Sequence, residues 1–344
     1  MSSRSGESGL YLKRPRRQAP RFAMWRASTG RFPIRSEQEQ TRQMIRVVCC
    51  GLATVDIVHR LSKFPSSNEK VVAQESDMTF GGPAANAAAT IMALGGSAVL
   101  VTALGSSALS DWLGHELGLS GVEVHDLQDG AASVPDLATV MITESTGDRS
   151  IVLSRSAERP KVGRAAPEVL DGADVLLVDG HNMPAAITLA NEAAKRGLPV
   201  LLDGGSWKAG TEDLLMCVTA AVVSADFTKP HERDALASLR QLGVPWVAST
   251  HGPHPVRYLE DDRRGKIEVQ HRELIDTVGA GDAFHGALAM LLGNSSLTFA
   301  QMLGIAATVA TASCAYAGAH GWTKDDEVVN ELQALIRGHG QSRK

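Results

Sequence analysis

The chain is poor in rings: aromatic residues make up only 4% of its 344 positions, while 44% are apolar. An Ala- and Gly-rich, ring-poor composition suits helices packed closely on a sheet and fits a fibrous or disordered chain poorly. Cysteine is scarce as well. Cys49, Cys50, Cys217 and Cys314 make no Cys-x-x-Cys pair, and no His/Cys group has zinc spacing. That excludes a disulfide framework or a zinc module and leaves four small buried hydrophobes in a reducing cytosol. No apolar run reaches the roughly 18 residues that span a bilayer. The expectation is a soluble, cytoplasmic protein with no membrane partner.

Negative charge is missing from one end. Residues 1–43 hold ten Lys/Arg against three acids, +7, which leaves −11 on the rest of a chain with total charge −4. An acidic body argues against nucleic acid as a partner. The basic head has the composition of an organellar presequence or a nucleic-acid tail. The plainer reading is a disordered basic extension over 1–43, with Met44 opening a folded domain over 44–337 and a tail over 338–344.

From Ile45 onward, strand-like and helix-like stretches alternate. Ile45–Ala53 is a short apolar run ending at a turn, and Ala84–Leu94 is an Ala-rich helix stopped by Gly95-Gly96. Ala98–Leu104, Val175–Val178, Val200–Asp203, Ala220–Ser224 and Trp246–Ser249 read as buried strands. Asp111–Leu119, Pro184–Arg196, His231–Leu242, Asp282–Leu292 and Phe299–Ala317 read as helices. Such alternation predicts an α/β domain with a mainly parallel sheet covered on both faces. Two stretches break the rhythm: 57–80 and 138–154 alternate apolar and polar residues, with Ser145-Thr146-Gly147-Asp148 as a turn. They predict antiparallel hairpins with one wet face, either edge decoration or a small β lid over a site beyond the strand ends.

The segment richest in chemistry is Asp276-Thr277-Val278-Gly279-Ala280-Gly281-Asp282, which runs into an apolar helix. Glycines at 279 and 281 allow a tight turn and leave amides uncovered, and a helix N-terminus adds its dipole, so the turn is an anion site. A carboxylate at its mouth repels a phosphate as a ligand. It suits a general base that deprotonates a hydroxyl attacking phosphorus. Taken alone, the motif reads more readily as a helix N-cap after a Gly-rich turn.

Asp276–Leu288 resembles the signature of the ribokinase-like, or PfkB, carbohydrate kinases: Asp-Thr-x-Gly-Ala-Gly-Asp, an aromatic, and a Gly-Ala-Leu helix. Gly81-Gly82-Pro83-Ala84-Ala85-Asn86 resembles that family's Gly-Gly-x-x-x-Asn, and Gly51–Asp56 its first strand end. The resemblance runs from about Met44 to Glu331. It implies a three-layer α/β/α sandwich with a small β-sheet lid, and ATP-dependent phosphorylation of a primary hydroxyl of a sugar or sugar derivative. It also assigns residues: Asp282 as base, with Gly279, Ala280 and Gly281 as anion hole. Asp56, Gly82 and Asn86 would hold the acceptor, and Thr250 and Gly252 would line the nucleotide site. There is no Gly-x-x-x-x-Gly-Lys, so the P-loop class is excluded.

The chain departs from the family where Asn-x-x-Glu is usual: Val223-Ser224-Ala225-Asp226-Phe227 stands there, with Ser224 in the Asn position. Mg²⁺ is then expected mainly on ATP oxygens and water. Pro255 replaces an expected glycine in the nucleotide loop. The resemblance implies a K⁺-like ion beside Asp276, with Val278 and Gly318 near it. Gly81–Asn86, Leu202-Asp203-Gly204 and Phe284–Leu288 are worded like sulfofructose kinases. Lys70, on a lid strand, stands where such an enzyme could grip an anionic tail, though His181 replaces the arginine that would strengthen such a site. An ordinary solvated lid residue is the plainer reading of Lys70. His285 is expected to be a packed, hydrogen-bonded histidine. A nucleoside kinase and a catalytically silent sugar-binding regulator are the other readings. The scarcity of rings weighs against the nucleoside kinase. A lid with an apolar face predicts a homodimer through the lid.

Overall fold

The structure, a computed structural model, describes residues 44–143, 148–154, 163–227, 234–261, 263–270, 273–293 and 297–338. The basic extension, the turn at 145–147, His231 and residues 339–344 lie outside them.

In chain order, β1 (Arg46–Cys50) leads to β2 (Thr54–Leu61), β3 (Glu75–Gly81), α1 (Pro83–Ala93), β4 (Ser97–Thr102), α2 (Ala108–Leu119) and β5 (Glu123–Asp126). Next come β6 (Asp136–Thr143), β7 (Arg149–Ser154), β8 (Val175–Val178), α3 (Met183–Arg196), β9 (Val200–Gly204), α4 (Thr211–Leu215) and β10 (Ala220–Ser224). The last are α5 (Ala235–Gln241), β11 (Trp246–His251), β12 (His254–Glu260), β13 (Arg263–Ile267), α6 (Ala280–Leu292), α7 (Phe299–Ser313) and α8 (Asp326–Gly338).

Nine strands form one sheet in the order β13-β12-β11-β10-β9-β8-β1-β4-β5. It is parallel from β5 through β11, and only β12 and β13 run antiparallel. Its central strands are buried on both faces, which is why they open as apolar runs, with polar residues such as Asp203 and Ser224 only toward their C-terminal ends. Helices α3 and α5 cover one face over a core that includes Leu176, Leu189, Leu202, Leu239 and Val247. On the other face, α1 packs on α6 and α6 on α7. Small residues decide how close they come. A Cβ at Gly286 of α6 would lie 2.8 Å from the Ala87 carbonyl oxygen of α1, so only glycine permits that approach.

The second sheet has the order β3-β2-β6-β7. The β2–β3 and β6–β7 pairs are antiparallel hairpins, as expected, and β2 joins β6 in parallel. Strand alternation sorts its faces. Ala138, Val140 and Ile142 of β6 form a small buried cluster with Val58 and Val278. The opposite face is not simply wet. In register across the sheet, Met78, Ile57 and Val152 lie in one row, 44%, 39% and 58% exposed.

Three sequence expectations are corrected. The described part of α5 starts at Ala235, capped by the Asp234 carboxylate on the Ala237 N–H. α7 stops at Ser313 rather than running to Ala317, because the chain turns there and Gly318 takes φ +71° to aim its N–H at Asp276. Lys70 stands on the exposed link between β2 and β3, not on a lid strand.

Candidate active site

The sheet order reverses between β1 and β8: the chain builds outward through β4 and β5, then returns to build the other half from β8. Ligands of open α/β sheets collect beyond the strand ends at such a switch. Asp179, next after β8, spans it. Its Oδ2 accepts the N–H groups of Leu52 (2.8 Å) and Ala84 (3.2 Å), and its Oδ1 accepts that of His181 (2.8 Å). One carboxylate thereby joins the end of β1, the start of α1 and the end of β8. Gly51 is required beside it, since a Cβ there would overlap the Asp179 carboxyl. Sequence reading missed Asp179; its signal was a lone acid at the end of an all-apolar strand.

The Gly-rich turn forms the N-terminus of α6, with Gly279 at the cap at φ +74°. A Cβ on Gly279 would sit 2.5 Å from the Ala319 Cβ, whereas one on Gly281 meets nothing within 4 Å. The turn is therefore packed behind and open in front. The amides of a helix's first turn have no intrahelical acceptor; that of Ala280 donates, at 3.4 Å, to the Thr277 carbonyl oxygen.

Asp282 lies in that first turn. Asn86, in the first turn of α1, donates from Nδ2 to Asp282 Oδ2 at 2.6 Å. The close packing of α1 on α6 thus brings together two residues 196 positions apart. Burial raises the Asp282 pKa, the charges of Asp203 and Asp179 add to this, and the Asn86 hydrogen bond and His285 oppose it. Asp203, at the end of β9, is raised too, first by burial and then by Asp179, with Lys208 opposing. The Asp203 charge thus adds to the resistance of Asp282 to ionising. His285 is packed and hydrogen-bonded as expected: Nδ1 lies 2.7 Å from the Gly281 carbonyl oxygen and Nε2 3.1 Å from that of Val222. It also stands 3.3 Å from Asp203, so it touches the acid pair from behind.

The lid supplies Asp56. Burial raises its pKa, against a hydrogen bond from Thr54. A Cβ at Gly81 would overlap the Asp56 carboxyl, and one at Gly82 (φ +96°) would lie 2.4 Å from the Leu52 carbonyl oxygen. Both glycines of the Gly-Gly pair are thus explained by close approach. Asp56, Val58 and Arg60 alternate onto one lid face, and Arg60 reaches Asp276 at 3.4 Å. Arg149 of β7 donates to the Thr277 carbonyl oxygen (3.2 Å) and Oγ1 (3.3 Å).

Asp276 was expected to border a monovalent cation, and its surroundings do not fit one. Oδ1 accepts from Val278 N–H, and Oδ2 from Gly318 N–H and the Arg60 guanidinium. A side-chain cation already neutralises the carboxylate.

Ser224 and Thr250 pair in register near the ends of β10 and β11. Gly252, at φ +58°, turns β11 into β12 with open space around it. Among the described residues no group of three His, Cys, Asp or Glu could hold a metal ion. Lys70 is not brought to this cluster by any contact among the described residues.

Comparison with known proteins agrees with this geometry. Residues 44–325 match the sequence model of the pfkB family carbohydrate kinases. The chain is 25% identical to an Arabidopsis thaliana ribokinase over 72% of this chain and 70% of that protein. It is 23% identical to a Bacillus subtilis ribokinase over 84% of this chain and 99% of that one. The structure of Arabidopsis thaliana ribokinase complexed with ribose and ATP superposes with a TM-score of 0.69 at 23% identity, covering 84% of this chain and 98% of that one. A structure from Escherichia coli, described as a ribokinase II with ATP and Mg²⁺, gives 0.69 at 18% identity, covering 86% and 100%. Those structural likenesses show the fold: a ribokinase-like α/β sandwich with a small second sheet.

Proposed function

The chain belongs to the pfkB family of carbohydrate kinases, and from that membership we propose that it transfers the γ-phosphoryl group of ATP to a primary hydroxyl of a sugar or sugar derivative, with Asp282 as general base. The observation that carries the proposal is the pairing of Asp282 with Asn86 at the mouth of the Gly279–Gly281 turn. Asp56, Gly82 and Asn86 hold the acceptor's hydroxyls, since carboxylate and amide groups accept from and donate to a polyol. Asp282 takes the hydroxyl proton. The acceptor oxygen forms its bond to the γ-phosphorus as the bridging P–O bond breaks, and ADP leaves with those electrons. The amides of Gly279, Ala280 and Gly281 stabilise the charge on the moving phosphoryl group. Ser224, Thr250 and Gly252 seat the nucleotide. Mg²⁺, when bound, neutralises phosphate charge. No step in this reading uses K⁺.

The test is ADP release over a panel of sugars, sulfosugars and nucleosides, each in K⁺-containing and K⁺-free buffer. Turnover with a sugar, at equal rates in both buffers, is expected because Arg60 already balances Asp276. Turnover with nucleosides alone, or sugar binding without ADP release, overturns the reading.

The same reading includes a homodimer through the lid, whose outer row of Met78, Ile57 and Val152 is exposed and apolar. Sedimentation is expected to give a dimer at micromolar concentration, and a sharp monomer rules it out. A cytosolic setting suits the four cysteines, all unpaired and buried.

A further inference from the structure

One histidine stands behind the site with no role in the chemistry above. His320 lies in the segment between α7 and α8, and its Nε2 is 2.9 Å from Asn86 Oδ1. The opposite atom of the same amide, Nδ2, is the one 2.6 Å from Asp282. An amide oxygen only accepts, so His320 must donate through Nε2–H. We propose that His320 is a positioning residue for the base: it fixes which end of the Asn86 amide faces Asp282. The inference rests on reading Asp282 as the base.

The surroundings of His320 suit a fixed donor. Its ring packs on Phe80 at a centroid distance of 4.1 Å, next to the Gly-Gly pair. Its chain segment is pinned on both sides, by Gly318 N–H on Asp276 and by the fully buried Trp322. Burial, with the Lys324 charge, pushes its pKa down to about 4, so the ring stays neutral and carries one N–H across the working pH range. Without that N–H, the Asp282 hydrogen bond alone holds the Asn86 Nδ2 inward, and the amide flips more readily. A flipped amide presents its oxygen to a carboxylate, and a like-signed partner disfavours ionisation. The groups that face Asp282 from every packed element are Asp203 from β9, Asp179 from β8, His285 on α6 and Asn86 from α1. Only the last depends on His320.

The test uses the full chain. His320→Leu removes the donor and is expected to lower kcat about 10-fold, with KM for ATP unmoved. Because the base works as a carboxylate and its pKa rises further, the acid limb of the kcat profile moves to higher pH by about half a unit or more. His320→Gln places an amide N–H in a similar position and is expected to restore most of both. A His320→Leu profile that overlays wild type overturns the inference, as does failure of a folded His320→Gln to rescue. If His320→Leu does not fold, ¹⁵N–¹H correlation of the wild-type imidazole decides: Nε2–H is expected, and Nδ1–H overturns. An inert His320 alongside an inactive Asp282→Asn removes this inference alone, whereas an active Asp282→Asn removes the assignment of the base.

Discussion

Asp282→Asn is expected to lower kcat by about 10²-fold or more, the scale of a lost general base, while thermal stability stays equal or rises. The two halves of that result come from the same burial. Asp282 has its pKa raised above the usual carboxylate range by loss of water and by Asp203 and Asp179. A carboxyl with a raised folded pKa contributes stability that is full below its unfolded pKa. That contribution is lost as pH rises through the folded pKa. At neutral pH the site therefore holds ionised acid at some cost, and a neutral isostere relieves it. Asn at 282 can still accept the Asn86 hydrogen bond, so the fold has little to lose. A mere helix cap would behave oppositely, giving slightly lower stability with turnover preserved. Kinetics and a melting curve on the same sample separate these, and near-wild-type turnover removes the claim. In the wild-type enzyme, kcat should fall as pH drops through the raised range of the Asp203–Asp282 pair.

Asp179→Ala is expected to be the most damaging single change to stability at the site, by about 3 kcal/mol or more. Its carboxylate serves three N–H groups, from Leu52, Ala84 and His181. Each buried donor left without an acceptor costs about 1–3 kcal/mol. Asp179→Asn keeps one oxygen and should lose less. The urea midpoint reads the difference, and an unchanged midpoint for Asp179→Ala sinks the account.

Much of this was legible in the sequence because the pattern and the physics coincide there. Val175–Val178 and Ala220–Val223 are apolar throughout because they lie mid-sheet, and the observed strands match the predicted limits Val175–Val178 and Ala220–Ser224. The Gly279–Asp282 motif was legible because glycines, a helix start and an acid must be contiguous to make the turn. The β12–β13 hairpin was not: Pro253, Pro255 and the charges at 260–264 hide strands that sit at the sheet edge, half exposed. α8 went unread although Leu332 and Ile336 bury one side of it. At the site, the unread residues are those whose partners are far away in sequence. Asp179 bonds to positions 127 and 95 residues distant, Arg60 to one 216 away and His320 to one 234 away. No local spacing encodes such pairs. Lys70 failed for the opposite reason, since a charge in an alternating stretch reads as a strand residue whether or not a link intervenes.

Two arginines tie the second sheet to the Asp276–Thr277 turn, and they differ in kind. Arg60 meets a carboxylate that is only 5% exposed, whereas the Arg149 contact is exposed. Beyond them the lid rests on a small apolar cluster around Val140 and Val278. Arg149 meets uncharged oxygens, so added salt acts instead on the Arg60–Asp276 ion pair and should loosen the second sheet on its β2 side before its β7 edge.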